Sequence, residues 1–256
     1  LDKGLSVALR EAGKFDEALQ HGLESYEAML NLFGNSDLRT VDAKRVYGIA
    51  LYRMGRYEEA LPIARKNREL VEARYGRRHP NVVDALLLEA ALYSAIEQPR
   101  TAEQLLVRAE TLQREVVGAR TRIHAGVLNN LGNVYVDQGR IAEARRVLGE
   151  AIDIWTELEI EDSLVYGWVT LSASSLMLGE ASRARDDLAR AWALLPEDHE
   201  NPHPLRGRVA SQMGAALVLE GEIEDALIWL ERADVAGTLR NQVLGEHRAW
   251  EALCLD

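Results

Sequence analysis

Apolar and polar positions follow the period of an α-helix along this chain, and the helical stretches come in pairs joined by short polar breaks. In the clearest pair, a stripe containing Leu128, Leu131 and Tyr135 is interrupted at Gly139, and a second stripe begins at Ile141. A break this short joins neighbouring antiparallel helices. The pattern therefore predicts a helical hairpin.

A short motif marks each break: glycine, a bulky apolar residue two positions later, and alanine three positions after that. Successive glycine positions are 42, 42, 42, 40 and 42 residues apart. The third and fifth copies are weaker, because Glu97 replaces the glycine in one and Ala181 the bulky residue in the other. A period this regular predicts an array of helical hairpins that pack on one another. The copies are Gly13/Phe15/Ala18, Gly55/Tyr57/Ala60, Glu97/Pro99/Ala102, Gly139/Ile141/Ala144, Gly179/Ala181/Ala184 and Gly221/Ile223/Ala226.

The period also predicts the domain organisation. Residues 1–238 divide into six repeats, and residues 239–256 are predicted to form a capping helix or a partial repeat. The chain begins at Leu1 inside a helical pattern, so we expect a fragment of a longer protein. Arginine greatly outnumbers lysine, which suggests a GC-rich bacterial genome. The repeats are predicted at about 1–35, 41–77, 83–119, 125–160, 165–200 and 206–238.

Charge, cysteine content and hydropathy argue against several classes of protein. A net charge of −11 argues against a general nucleic-acid binder, because phosphate contacts require a basic surface. Cys254 is the only cysteine, so it forms neither an internal disulfide nor a cysteine-based zinc site, and we expect a reducing, cytoplasmic location. No apolar run approaches the ~20 residues that a membrane-spanning helix needs.

The sequence contains no residue pattern typical of an enzyme, metal site or cofactor site. Only His199 and His203 have i, i+4 spacing, and Pro202 and Pro204 prevent a regular helix from presenting both rings. Neither a phosphate-binding glycine loop nor a nucleophile elbow occurs. We therefore predict no catalytic activity, no metal and no cofactor.

The repeats resemble the tetratricopeptide repeat family. Trp168-x-x-Leu171 is similar to the family's opening apolar pair, and Gly132 occupies its small position on the first helix. The other matching residues are Gly48, Gly214, Tyr93, Tyr135, the pattern Ala184-x-x-x-Leu188-x-x-Ala191 with Pro196 after it, and Ala226-x-x-x-Leu230-x-x-Ala233. The long period and linkers such as Tyr75-Gly76-Arg77-Arg78-His79-Pro80 resemble the kinesin-light-chain subclass. The resemblance implies an all-α, right-handed superhelical solenoid of stacked antiparallel helix hairpins.

The resemblance also implies a concave groove that is lined by the first helix of each hairpin and binds a peptide or protein segment. Counting back from each motif alanine gives the side chains expected to face this groove. The predicted binding residues are Arg45, Tyr52, Arg53, Asn129, Asn130, Asn133, Asp137, Tyr166 and Arg208.

Asn129 and Asn133 lie one helical turn apart, although asparagine is a poor helix former. A carboxamide can donate to and accept from a peptide backbone at once, so we expect the pair to contact an extended ligand. The alternatives are an ordinary polar groove wall or a hydrogen bond between repeats.

A second feature is the group of basic residues in the first two repeats, Lys3, Arg10, Arg45 and Arg53. In an acidic protein, a locally basic groove would attract an acidic peptide or a terminal carboxylate. The alternative is solvated arginines paired with Asp42 or Glu11.

Together these patterns predict a non-catalytic protein-protein interaction scaffold. A second hypothesis is a regulatory or sensor domain of a larger bacterial signalling protein, such as a kinase, a switch ATPase or a protease. The second hypothesis rests on analogy with proteins of the same fold.

Overall fold

The computed structural model describes residues 15–35, 37–196 and 205–235, which contain eleven α-helices and no strand. The predicted all-α class is confirmed. Lys3, Arg10, Gly13, Cys254 and the predicted cap 239–256 lie outside the described residues. The helices are α1 (Phe15–Phe33), α2 (Leu38–Arg53), α3 (Tyr57–Tyr75), α4 (Asn81–Ala95), α5 (Pro99–Val116), α6 (Arg122–Asp137), α7 (Ile141–Glu157), α8 (Glu161–Met177), α9 (Ala181–Ala193), α10 (Arg206–Glu220) and α11 (Ile223–Val235).

The chain forms two compact units, Leu1–Ala119 and Arg120–Asp256. In the first unit α1 to α5 pack consecutively, and α2 also contacts α4. In the second unit α6 to α11 pack consecutively, and α8 additionally contacts both α6 and α10. The first helices of the three hairpins in this unit therefore lie side by side, with α8 in the middle.

In four described copies of the motif, the glycine ends the first helix of the hairpin. Gly55, Gly139, Gly179 and Gly221 have φ values of 72°, 70°, 71° and 80°, in the left-handed region where glycine carries no Cβ penalty. In each turn the residue after the glycine donates its N–H back to the helix, as Arg140 does to the carbonyl of Tyr135 at 2.8 Å. This is a Schellman end, and it turns the chain into the second helix.

The motif alanines lie at the centre of the hairpins. Ala60, Ala102, Ala144, Ala184 and Ala226 are all 0% exposed. Small residues on the facing helix allow an equally close approach. A Cβ added to Gly132 would lie 2.5 Å from the side chain of Leu148, and one added to Gly214 would lie 2.7 Å from Leu230.

None of the described helices is both long enough and apolar enough to cross a membrane.

Candidate functional site

The face formed by α6, α8 and α10 of the second unit carries polar residues where the first unit is apolar. Fourteen residues before the motif alanine stand Asn130, Thr170 and Gln212 in the three first helices of this unit. The equivalent residues of α2 and α4 are Val46 and Leu88, which are 4% and 9% exposed. The replacement of apolar by polar residues in one register position distinguishes the second unit.

Hydrogen bonds tie the polar side chains of these three helices together. The hydroxyl of Thr170 lies 3.2 Å from Oδ1 of Asn133 and can donate to it, or to the carbonyl of Tyr166 at 3.0 Å. The hydroxyl of Ser172 can donate to Oε1 of Gln212 at 2.9 Å, or to the carbonyl of Val169. Residues of α8 thus hold one amide on α6 and another on α10.

These two amides keep unused hydrogen-bonding capacity. Nδ2 of Asn133 donates to the carbonyl of Asn129 at 3.1 Å, which uses one of its two donors. Within the described residues, the amide nitrogen of Gln212 makes no hydrogen bond. Both side chains are half-buried, so a ligand on this face can reach them.

Asn129 and Asn130 are the other two asparagines of α6. Asn129 is 8% exposed, and its Oδ1 is buried without a hydrogen-bond partner among the described residues. Asn130 is half-buried. Asn133 makes the inter-repeat hydrogen bond considered from the sequence, and within the described residues Asn129 makes none.

Tyr166, Asp137 and Arg208 are the exposed members of the predicted site in this unit. Tyr166 is 40% exposed to solvent. Surrounding protein keeps water from part of the Asp137 carboxyl, and this desolvation raises its pKa above the ordinary value. The positive charge of Arg208 lowers the same pKa, so the two groups lie close enough to interact electrostatically.

In the first unit, the predicted basic residues are only partly available to a ligand. Arg45 forms an ion pair with Asp42 at 2.9 Å. This is the alternative considered from the sequence, in which the arginine pairs locally instead of binding a ligand. The ring of Tyr52 packs at 5.5 Å from that of Tyr57. Arg53 is exposed at the end of α2.

The predicted residues thus fall into two groups, one in each compact unit. The second unit contains Asn129, Asn130, Asn133, Asp137, Tyr166 and Arg208, and the first unit contains Arg45, Tyr52 and Arg53. Thr170, Ser172 and Gln212 were not predicted from the sequence. The shared register of Asn130, Thr170 and Gln212 was a signal that could have identified two of them.

Among the described residues, no group of three or more His, Cys, Asp or Glu side chains is arranged to hold a metal ion.

Comparisons with known proteins agree with this architecture. Residues 2–66 and 40–115 match one description of the tetratricopeptide repeat, and residues 124–159 match a second. No curated protein matches the chain in sequence.

Several solved structures share the fold at low sequence identity. BtubC (BKLC) from P. vanneervenii is 17% identical with a TM-score of 0.68, covering 89% of this chain and 93% of that protein. A tetratricopeptide repeat protein from Parabacteroides merdae is 16% identical with a TM-score of 0.65, covering 100% and 83%. A putative kinesin light chain from Podosopora anserina is 16% identical with a TM-score of 0.60, covering 75% and 92%. Repeat matches and fold agree, and this chain belongs to the tetratricopeptide repeat family.

Proposed function

We propose that this chain is a non-catalytic scaffold that binds an extended peptide segment of a partner protein on the face of α6, α8 and α10. Tetratricopeptide repeats support a role in protein interaction generally. The observation that supports the more specific proposal is the pair of side-chain amides of Asn133 and Gln212. Hydroxyl groups of α8 hold both amides in place, and each amide keeps an unused hydrogen-bond donor.

An extended peptide presents backbone N–H and C=O groups in a regular row, and a carboxamide can bind either kind. Asn133 and Gln212 lie on opposite sides of α8 and retain free donors. Because Thr170 and Ser172 already restrict these side chains, little side-chain entropy is lost when a peptide binds. The face is therefore preorganised for backbone recognition.

Side chains of α8 supply the surface between the two amides. Ala173 is small and half-buried, so a peptide backbone can approach the helix closely. Tyr166 is exposed and offers an aromatic surface with a hydroxyl, a combination enriched at protein interfaces. Backbone recognition by the amides and apolar contact with Tyr166 are both compatible with one extended segment.

The acidic partner predicted from the first unit has less support than the peptide itself. Asp42 largely neutralises Arg45, so Arg53 is the more available of the two described arginines. A role in signalling and a cytoplasmic location stay predictions from the sequence.

The test is selection of peptides from a random display library on the full chain, followed by affinity measurements on variants. Asn133→Ala and Gln212→Ala should each weaken the selected peptides by about 1 kcal/mol, or roughly fivefold, because each removes one hydrogen bond. Calorimetry gives the affinities, and thermal unfolding shows whether each variant remains folded.

Two controls make the result specific. Gln104→Ala removes an exposed amide from α5 and should leave binding unchanged. Thr170→Ala removes the α8 hydroxyl but retains the Asn133 amide. Its affinity therefore shows how much peptide binding depends on the hydroxyl that holds the amide in place, as distinct from the amide itself. Failure to select any peptide, or selected peptides that bind the Asn133→Ala/Gln212→Ala variant as tightly as the wild type, would contradict the proposed function.

A further inference from the structure

Two opposite charges flank the proposed peptide site. Asp137 is the last residue of α6, and Arg208 lies in the first turn of α10. Both side chains are exposed, and neither forms an ion pair within the described residues. The charge of Arg208 nevertheless acts on the Asp137 carboxyl. The helices that carry these two charges, α6 and α10, both pack against α8.

The two residues are placed at opposite ends of their helices. Because each first helix is followed by an antiparallel second helix, α6, α8 and α10 run in the same direction. Asp137 lies at the carboxyl end of α6, whereas Arg208 lies at the amino end of α10. Between these two helices lies α8, which contacts both of them and whose residue Thr170 bonds to Asn133.

The carboxylate does not belong to the repeating pattern. Seven residues before the motif alanine, α8 and α10 carry Met177 and Leu219, which are 57% and 47% exposed. Asp137 occupies the same position of α6 and is the only charged residue of the three. An exposed carboxylate beside two exposed apolar side chains favours a ligand with a basic group at that end.

We propose that Asp137 and Arg208 determine the direction in which a peptide binds, by pairing with a basic group at one end and an acidic group at the other. The partner segment is thus an extended peptide with opposite charges at its two ends. This inference rests on the proposed function, because amides recognise a backbone in either direction whereas a pair of opposite charges does not.

The decisive variant exchanges the charges. Asp137→Arg combined with Arg208→Asp preserves the net charge and reverses the polarity of the site. The probes are a peptide selected from the random library on the wild type and an analogue in which its acidic and basic residues are exchanged. The wild type should bind the selected peptide about tenfold more tightly than the analogue, and the exchanged variant should show the opposite preference.

Charge removal provides a second variant with little change in shape. Asp137→Asn combined with Arg208→Gln should bind both peptides with similar affinity, and it keeps the inference testable if the exchanged variant unfolds. As a matched control, Asp153→Arg with Arg146→Asp exchanges two exposed charges on α7. This helix is the second of its hairpin and is not one of the three helices that form the proposed peptide site. This control should keep the wild-type preference.

The outcomes separate the two proposals. If the Asn133→Ala/Gln212→Ala variant loses affinity but the exchanged variant keeps the wild-type preference, the peptide site stands and the inference about direction is overturned. If the amide variants bind as tightly as the wild type, the proposed site itself is wrong. Reversal of preference by the exchange supports both.

Discussion

The carboxyl group of Asp187, on α9, is an unfavourable feature of the second unit. The residue is 5% exposed, and its Oδ2 is buried without a hydrogen-bond partner among the described residues. Its Oδ1 lies 3.7 Å from the guanidinium of Arg190. Burial raises the pKa of Asp187 above the ordinary value, and the positive charges of Arg190 and Arg183 offset only part of this effect.

This raised pKa predicts a pH-dependent effect of Asp187→Asn. In the folded chain the carboxyl binds its proton more tightly than in the unfolded chain, so the wild type loses stability as pH rises through the unfolded pKa of 3.8 and then the folded pKa. Asparagine carries no titrating group. The free energy of unfolding of the variant, relative to the wild type, should therefore increase from below pH 3.8 to neutral pH.

Urea denaturation at several pH values measures this difference. Asp153→Asn, at an exposed site on α7, is the control and should show a smaller change with pH. A relative stability of Asp187→Asn that stays constant with pH, or falls as pH rises, would contradict the role assigned to the buried carboxyl.

At the scale of helices, the hairpins depend on close contacts at glycine. A Cβ on Gly132 would lie 2.5 Å from Leu148, and a Cβ on Gly214 would lie 2.7 Å from Leu230. Gly132→Ala and Gly214→Ala should each lower the free energy of unfolding by about 1–3 kcal/mol, because the facing leucine must leave its position in the packed core. Denaturant unfolding measures the loss.

Two other helical glycines supply a graded control. A Cβ on Gly149 of α7 meets nothing within 4 Å, so Gly149→Ala should raise stability by roughly 0.5–1 kcal/mol through helix propensity alone. At Gly48 the nearest atom, on Leu88, would lie 3.3 Å away, and the cost of alanine there should be smaller than at Gly132. Equal effects of alanine at Gly132 and Gly149 would mean that the contact with Leu148 relaxes at no cost.

The sequence predicted the hairpin elements because their determinants are local. Glycine at a helix end and alanine between helices recur with the period, so position alone identifies them. Glu97 shows that the turn does not require glycine: it adopts φ of 59°, and Gln98 still donates its N–H to the carbonyl of Tyr93 at 2.8 Å. Packing of the hairpin imposes the turn on a less suitable residue.

The candidate site was predictable only in part. The register indicates which face of a first helix a residue occupies, and Asn133, Asp137 and Arg208 were predicted from it. It does not show which side chains reach across to a neighbouring helix. The contacts of Thr170 with Asn133 and of Ser172 with Gln212 depend on the spacing of packed helices, which a single sequence does not contain.

For the whole chain, a net charge of −11 acts on any approaching ligand. Many described charges form local ion pairs, such as Arg68 with Glu89 at 2.5 Å and Arg108 with Glu72 at 2.6 Å, and these cancel at long range. The excess of carboxylates remains. It should attract basic peptides and repel acidic ones over about one Debye length, ~8 Å at physiological salt.

Salt should therefore affect the association of basic and acidic peptides in opposite directions. Take two peptides with the library-selected contact residues, one extended by lysines and the other by glutamates outside the bound segment. The association rate constant of the lysine peptide should fall as salt rises, because screening weakens its attraction to the chain, and that of the glutamate peptide should rise. Stopped-flow fluorescence measures both, and a neutral extension is the control. If the glutamate peptide instead associates faster at low salt, a local basic surface outweighs the net charge, and the acidic partner predicted from Lys3, Arg10, Arg45 and Arg53 becomes the better description.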